Sequence, residues 1–266
     1  QNLSLNGLGV SQYYSTYTKR SFPYNIYAGS QDQGFQRSIN PQGNIYNFEQ
    51  SISGDYGHLS SGDNGLTIWS NYPGFTMYYN NPITNVGGLT LDFPGSGHLW
   101  LSPLMQDPYE PNKAYLGGGG ISGGNHLFHL TAGQSSISYM EKPYNFNSTI
   151  SAMGYSTLER NNRYILDYNG NFYFSKDDGE SWEQSQAFDG PNAHYFYGST
   201  IWSSNTNIGK VIIGGSGYSN PPVYISYDHG ETFENFSNGL PSTLVYEIVG
   251  TPDDQYLFAA TEVGPY

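Results

Sequence analysis

Short apolar and aromatic runs recur along the whole chain, each closed by Gly, Pro, Asn or Asp. Phe172-Tyr173-Phe174, Tyr164-Ile165-Leu166 and Val211-Ile212-Ile213 are clear cases. Aromatic and β-branched residues fit a pleated surface, and the residues between the runs are turn formers, so the pattern predicts strand, turn, strand throughout. No segment holds apolar residues at helical spacing for more than about two turns. Thr149–Met153 and Ser199–Ser203 are smaller and apolar, as expected of strands that converge near a common axis.

Two turns share one grammar. Ser175-Lys176-Asp177-Asp178-Gly179-Glu180-Ser181-Trp182 and Ser226-Tyr227-Asp228-His229-Gly230-Glu231-Thr232-Phe233 both read S-x-D-x-G-x-[ST]-[WF]. The Asp can accept backbone N–H groups, the Gly takes a positive φ without penalty, and the aromatic (Trp182, Phe233) packs back onto the sheet. Ser175 and Ser226 lie 51 residues apart, and Thr131–Ser135 is a degenerate copy without the Asp, its Gly133 preceding Gly179 by 46. Asn2–Leu8 resembles Asn235–Leu240, and Tyr27-Ala28-Gly29-Ser30 resembles Phe258-Ala259-Ala260-Thr261. The interval holds about five units of about 46 residues. The expected fold is all-β, a propeller of four-stranded antiparallel blades, about five of them, forming part of a larger propeller. Residues 1–7 would be the last strand of a preceding blade, with blades at 8–51, 52–97, 98–146, 147–193 and 194–240 and an incomplete one at 241–266. Alternatively, residues 1–7 complete the final blade. Asp63, in Ser61-Gly62-Asp63-Asn64-Gly65, reads as an ordinary hairpin turn.

At these residues the chain resembles the Asp-box (BNR-repeat) propellers, which include sialidases, sortilin-type receptors, xyloglucan-degrading glycosidases and photosystem assembly factors. It is most similar to large propellers that Bacteroidetes export by the type IX route. Gly7–Tyr14, Ala28–Gly34, Gly54–Gly57 and Ala260–Gly264 carry that likeness. The resemblance implies a secreted or cell-surface protein whose further domains, or the secretion machinery, are among its partners.

Charge narrows the options. The net charge is −13, with 22 acidic against 9 basic residues and no basic cluster, so neither nucleic acid nor an anionic membrane surface is an expected partner. No stretch reaches the roughly 18 apolar residues that a membrane helix needs. Without cysteine, disulfides and thiolate metal sites are excluded. The histidines show no metal-ligand spacing: His126 and His129, three apart on a strand, point to opposite faces. No metal or cofactor is expected. Four arginines, Arg20, Arg37, Arg160 and Arg163, do not make the carboxylate clamp of a sialidase.

Asp177 and Asp228 are expected to close hairpins on the outer part of their blades rather than to do chemistry. Asp32 and Asp55 are the candidate catalytic carboxylates, each in a Gly-flanked turn expected at the end of an inner strand, where a pair could hydrolyse a glycosidic bond. The competing reading is that both cap Gly turns. Tyr13, Tyr14, Gln31 and His58 are the candidate ligand-binding residues, and Tyr72, Tyr78-Tyr79, Trp100 and Tyr195-Phe196-Tyr197 are further aromatic concentrations. Aromatic faces can stack on sugar rings, but they also fill the space between sheets. Two functions follow: a non-catalytic surface module for glycan or protein recognition, or a glycoside hydrolase using Asp32 and Asp55.

Overall fold

A computed structural model describes residues 12–19, 21–22, 24–42, 45–80, 88–186, 188–194 and 199–266. Every regular element among them is a strand. The first blade holds β1 (Tyr13–Thr18), β2 (Ile26–Ser30), β3 (Gly34–Gln42) and β4 (Ile45–Ile52). The second holds β5 (Leu59–Ser60), β6 (Ile68–Tyr72), β7 (Phe75–Tyr79) and β8 (Leu89–Asp92), and the third β9 (Leu104–Gln106), β10 (Lys113–Gly117), β11 (Leu127–Ala132) and β12 (Ile137–Glu141). The fourth comprises β13 (Ile150–Tyr155), β14 (Arg163–Asp167), β15 (Phe172–Ser175) and β16 (Glu183–Gln184). The fifth comprises β17 (Thr200–Ser203), β18 (Val211–Gly214), β19 (Val223–Ser226) and β20 (Glu234–Asn235). The sixth has three strands among the described residues, β21 (Val245–Gly250), β22 (Leu257–Thr261) and β23 (Gly264–Pro265). Strands pair antiparallel in chain order within each sheet, and the whole is a six-bladed β-propeller. The sequence expectation is about five blades; the sixth sheet is formed within the stretch read there as an incomplete blade, 241–266. Residues 1–7 and Tyr195-Phe196-Tyr197 lie outside the described residues.

The core sits between blades, not within them. A thin sheet has two faces and no interior, so each face must bury its side chains against a neighbour. Five apolar clusters do this, one per successive interface. Tyr27 and Phe35 meet Ile68 and Tyr79 between the first two blades, and Trp69 and Tyr78 meet Leu116 and Phe128 at the next. Leu127 meets Ile150 and Trp182, Phe172 meets Val211 and Ile213, and Ile212 and Ile225 meet Val245 and Ile248. Among the described residues no such cluster joins the sixth blade to the first.

The two patterned turns have the same bonds. Ser175 Oγ donates to Asp177 Oδ1 at 2.8 Å and accepts from Gly179 N at 2.8 Å, while Ser181 donates its N–H and its hydroxyl to the two Asp177 oxygens. Ser226, Asp228, Gly230 and Thr232 repeat every contact. Both turns join the third and fourth strands of their blades. The hydrogen bonds from Ser181 hold Asp177's carboxyl down at about 2. Asp63 departs from its sequence reading. Ser61, Asp63, Gly65 and Thr67 make the same set of bonds, with Asn64 and Gly65 at positive φ like Asp178 and Gly179. This third turn joins the first and second strands of its blade, and Ile68 replaces the aromatic.

Each turn docks on the preceding blade. Gly230 approaches Phe172 so closely that a Cβ there would lie 2.1 Å from a ring carbon, and its carbonyl accepts from Ser185. Gly65's carbonyl accepts from Tyr27 Oη at 3.4 Å. Gly230→Ala and Gly239→Ala therefore form a matched pair, with φ at +91° and +87° and with open space only at Gly239. Gly239→Ala is expected to cost about 1–2 kcal/mol in backbone strain, and Gly230→Ala about 1–3 kcal/mol more from overpacking. Urea denaturation of both variants measures the difference.

Candidate ligand-binding channel

The first strand of every blade faces the axis, and a cavity runs between them. A vestibule of about 560 Å³ opens where these strands begin. It is lined by Tyr13 and Tyr14, His58, Pro103, Ser151, Ser199 and Thr200, and Glu247. A second vestibule of about 520 Å³ lies toward the strands' far ends, beside Gln106, Tyr155, Trp202 and Asn205. Leu104, Met153, Ile201 and Val249 line both and form an apolar waist from four successive blades.

Bulges aim the inner strands. In β1 the pairing steps from Tyr13↔Ser30 to Ser15↔Gly29, leaving Tyr14 as an extra residue. Ser151 in β13 and Tyr246 in β21 are extra in the same way. One added residue reverses which side chains face which way. So in β21 Val245 and Ile248 both enter the core against the fifth blade, while Glu247 and Val249 line the channel. Tyr14 stands edge-on to Trp100, ring centroids 5.6 Å apart.

Glu247 is the one carboxylate lining the wider vestibule among the described residues. Its Oε1 accepts from Thr200 Oγ1 at 3.1 Å, and that hydroxyl also accepts from Ile248 N at 3.3 Å. The side chain is exposed to the channel, but the surrounding walls keep it from bulk solvent on most sides. That burial, outweighing the Thr200 hydrogen bond, pushes its carboxyl up to about 7. Burial also lowers His58's imidazole below its ordinary value, so it is neutral near pH 7. Hydroxyls continue the polar lining: Ser151 and Ser199 share a 2.9 Å hydrogen bond, and Ser15 Oγ accepts from Leu59 N at 3.1 Å.

The residues singled out in the sequence divide into two groups. Tyr13, Tyr14 and His58 line the vestibule. Gln31, Asp32 and Asp55 do not. Gln31 donates its N–H to Gln12 O at 3.0 Å, which places it on the rim. Asp32 sits in the β2–β3 turn at φ +59°, not at the end of an innermost strand, and Asp55 in the loop entering β5. They are brought together, though not as facing carboxylates: Asp55 Oδ1 accepts Asp32's backbone N–H at 2.7 Å. Glu247, Ser151, Ser199 and Thr200 escaped the sequence reading. The available signal was a lone acid in the otherwise apolar run Val245–Val249.

Neither a protein-family model nor a curated protein matches the chain. Solved structures do, at the level of fold. The β-propeller domain of Cps50 (Swd1) from Myceliophteria thermophila superposes with a TM-score of 0.67 at 8% identity, over 96% of this chain and 81% of that one. The GH74 enzyme of Niastella koreensis gives 0.58 at 15% identity over 77% of this chain, which spans 33% of that enzyme's chain. YCF48 from Cyanidioschyzon merolae gives 0.51 at 13% identity, covering 96% and 94%. The likeness thus spans an enzyme and propellers of other kinds, and it is one of architecture.

Glu247 makes the protein's stability depend on pH in a defined direction. Its carboxyl is raised in the folded state, so between its unfolded value near 4.5 and about 7 the folded chain binds a proton that the unfolded chain has lost. Stability from this group is therefore present below that window and declines as pH rises through it. Glu247→Gln is expected to flatten this part of the profile, read as melting temperature against pH.

Proposed function

We propose that the protein is a secreted or cell-surface binding propeller that receives its ligand at the wider channel mouth and performs no hydrolysis there. The observation that carries this reading is the disposition of the carboxylates. Retaining and inverting glycosidases place two carboxyl groups about 5–10 Å apart across the scissile bond. Here Asp55 is engaged by Asp32's backbone, and Glu247 faces the vestibule without a second acid among the described residues. What the mouth offers is tyrosine faces and hydroxyls around a space of about 560 Å³, within the range of small-ligand sites, a chemistry suited to a glycan or to a polar protein loop. The three Ser-Asp-Gly turns are read as Asp boxes, holding blades rather than ligand. Placement outside the cell, and partnership with further domains or secretion machinery, rest on the resemblance to exported propellers. The hydrolase reading draws on the GH74 likeness and on Asp32 and Asp55.

Affinity electrophoresis through xyloglucan and other plant and host polysaccharides, run alongside reducing-end assays, separates the two. The expected result is retardation without turnover, with retention weakened several-fold by Tyr14→Ala through lost ring contact. Hydrolysis that disappears in Asp55→Asn would overturn the binding reading.

A further inference from the structure

The reading of the channel mouth as a binding site leaves the ligand's chemistry open, and Glu247 narrows it. We infer that the wider vestibule selects a ligand carrying a primary ammonium group, such as an amino-substituted sugar, with Glu247 as the residue that takes the ammonium. This inference rests on the channel-mouth reading and names its ligand class.

Four observations converge. Glu247 Oε1 is engaged by Thr200 while the same carboxylate keeps an open face to the cavity. No lysine or arginine lines the vestibule, and no ion pair involving Glu247 occurs among the described residues. Among the described residues the only other titratable groups on the lining are Tyr13, Tyr14 and His58, and His58 is held neutral by its burial. The described walls around Glu247 are therefore uncharged near neutral pH. Finally, the protein's net charge of −13 favours entry of cations over anions.

Glu247 is exposed to the channel and is bonded by the Thr200 hydroxyl, and a cation can add a charge-assisted hydrogen bond to it. A neutral ligand brings no opposite charge to the carboxylate. Thr200 bonds Glu247, and the hydroxyls of Ser151 and Ser199 share the same lining, where they can accept from ammonium hydrogens or bond ring hydroxyls. Tyr13 and Tyr14 line the same vestibule, and aromatic rings suit both a cation and the apolar face of a sugar. The waist formed by Leu104, Met153, Ile201 and Val249 offers no polar partner to a charged group, so the ammonium stops at the level of Glu247.

Titration calorimetry on the full chain tests this with 6-amino-6-deoxyglucose, glucose and propylamine as probes. In slightly alkaline buffer the amino sugar is expected to bind about tenfold or more tightly than glucose, as one charge-assisted hydrogen bond predicts. Propylamine separates the sources of the ammonium: binding as tight as the amino sugar assigns the site to amines generally, and weaker binding assigns it to amino sugars. Just below neutrality, ammonium binding should expel the proton that Glu247 carries, read as a dependence of the apparent enthalpy on the buffer's ionisation enthalpy. Glu247→Gln should abolish both the preference and the proton release, while Glu247→Asp should keep the preference in weakened form and report on folding. Equal affinity for glucose and the amino sugar, or a preference that survives Glu247→Gln, would overturn the inference and leave the binding channel standing. Absence of binding by any of the three probes would overturn it together with that channel.

Discussion

Everything in this molecule depends on sheets that cannot bury themselves. A four-stranded blade is one layer thick, and its side chains leave water only by meeting those of the next blade. Five clusters accomplish that here, and their largest members are rings: Tyr27, Phe35, Trp69, Phe128, Phe172 and Trp182 are all buried. A ring buries more area per residue than an aliphatic chain and tolerates the wedge shape that opens from axis to rim. The high aromatic content of the sequence is thus chiefly a requirement of architecture. It says little about ligands.

The same constraint creates the channel. Where blades converge, the small side chains of Ser151, Ser199 and Thr200 leave open the space that becomes the channel. Three inner strands carry an extra residue near their start, and in β21 that residue decides the chemistry. Val245 and Glu247, two apart, would share a face in a regular strand. The bulge at Tyr246 separates them, sending the valine into the fifth blade's core and the glutamate to the axis.

That bulge also explains what the sequence could and could not disclose. Strands, turns and the propeller itself were legible because each depends on local pattern: apolar runs, Gly and Asn punctuation, and the grammar around Asp177 and Asp228. The third Ser-Asp-Gly turn, at Ser61, was hidden by the expectation of an aromatic eight positions into the pattern, where Ile68 fills the same site against the first blade. Asp32 and Asp55 looked like channel acids because both flank Gly turns, but whether a turn faces the axis or the rim depends on strand order, which a turn's own residues do not encode. Glu247 was missed for a related reason. Its direction is set by a register shift against β22, a property of a strand pair that alternation along one strand does not reveal.

On the far side of the channel's apolar waist from Glu247 runs a belt of contacts between successive blades. Ser60 bonds Gln106, Gln106 Nε2 bonds Tyr155 Oη at 2.9 Å, Thr157 bonds the carbonyl of Ser204, and Asn205 and Ser204 bond Asp254. Among the described residues, the segments that end β9, β13 and β17 thus each give a link forward and receive one from behind. A unit that carries both halves of a joint can be copied in tandem, since the duplicate brings its own clasp and eye. The belt accordingly makes the number of units in a ring of this kind open to change by gene duplication without redesign of any single joint.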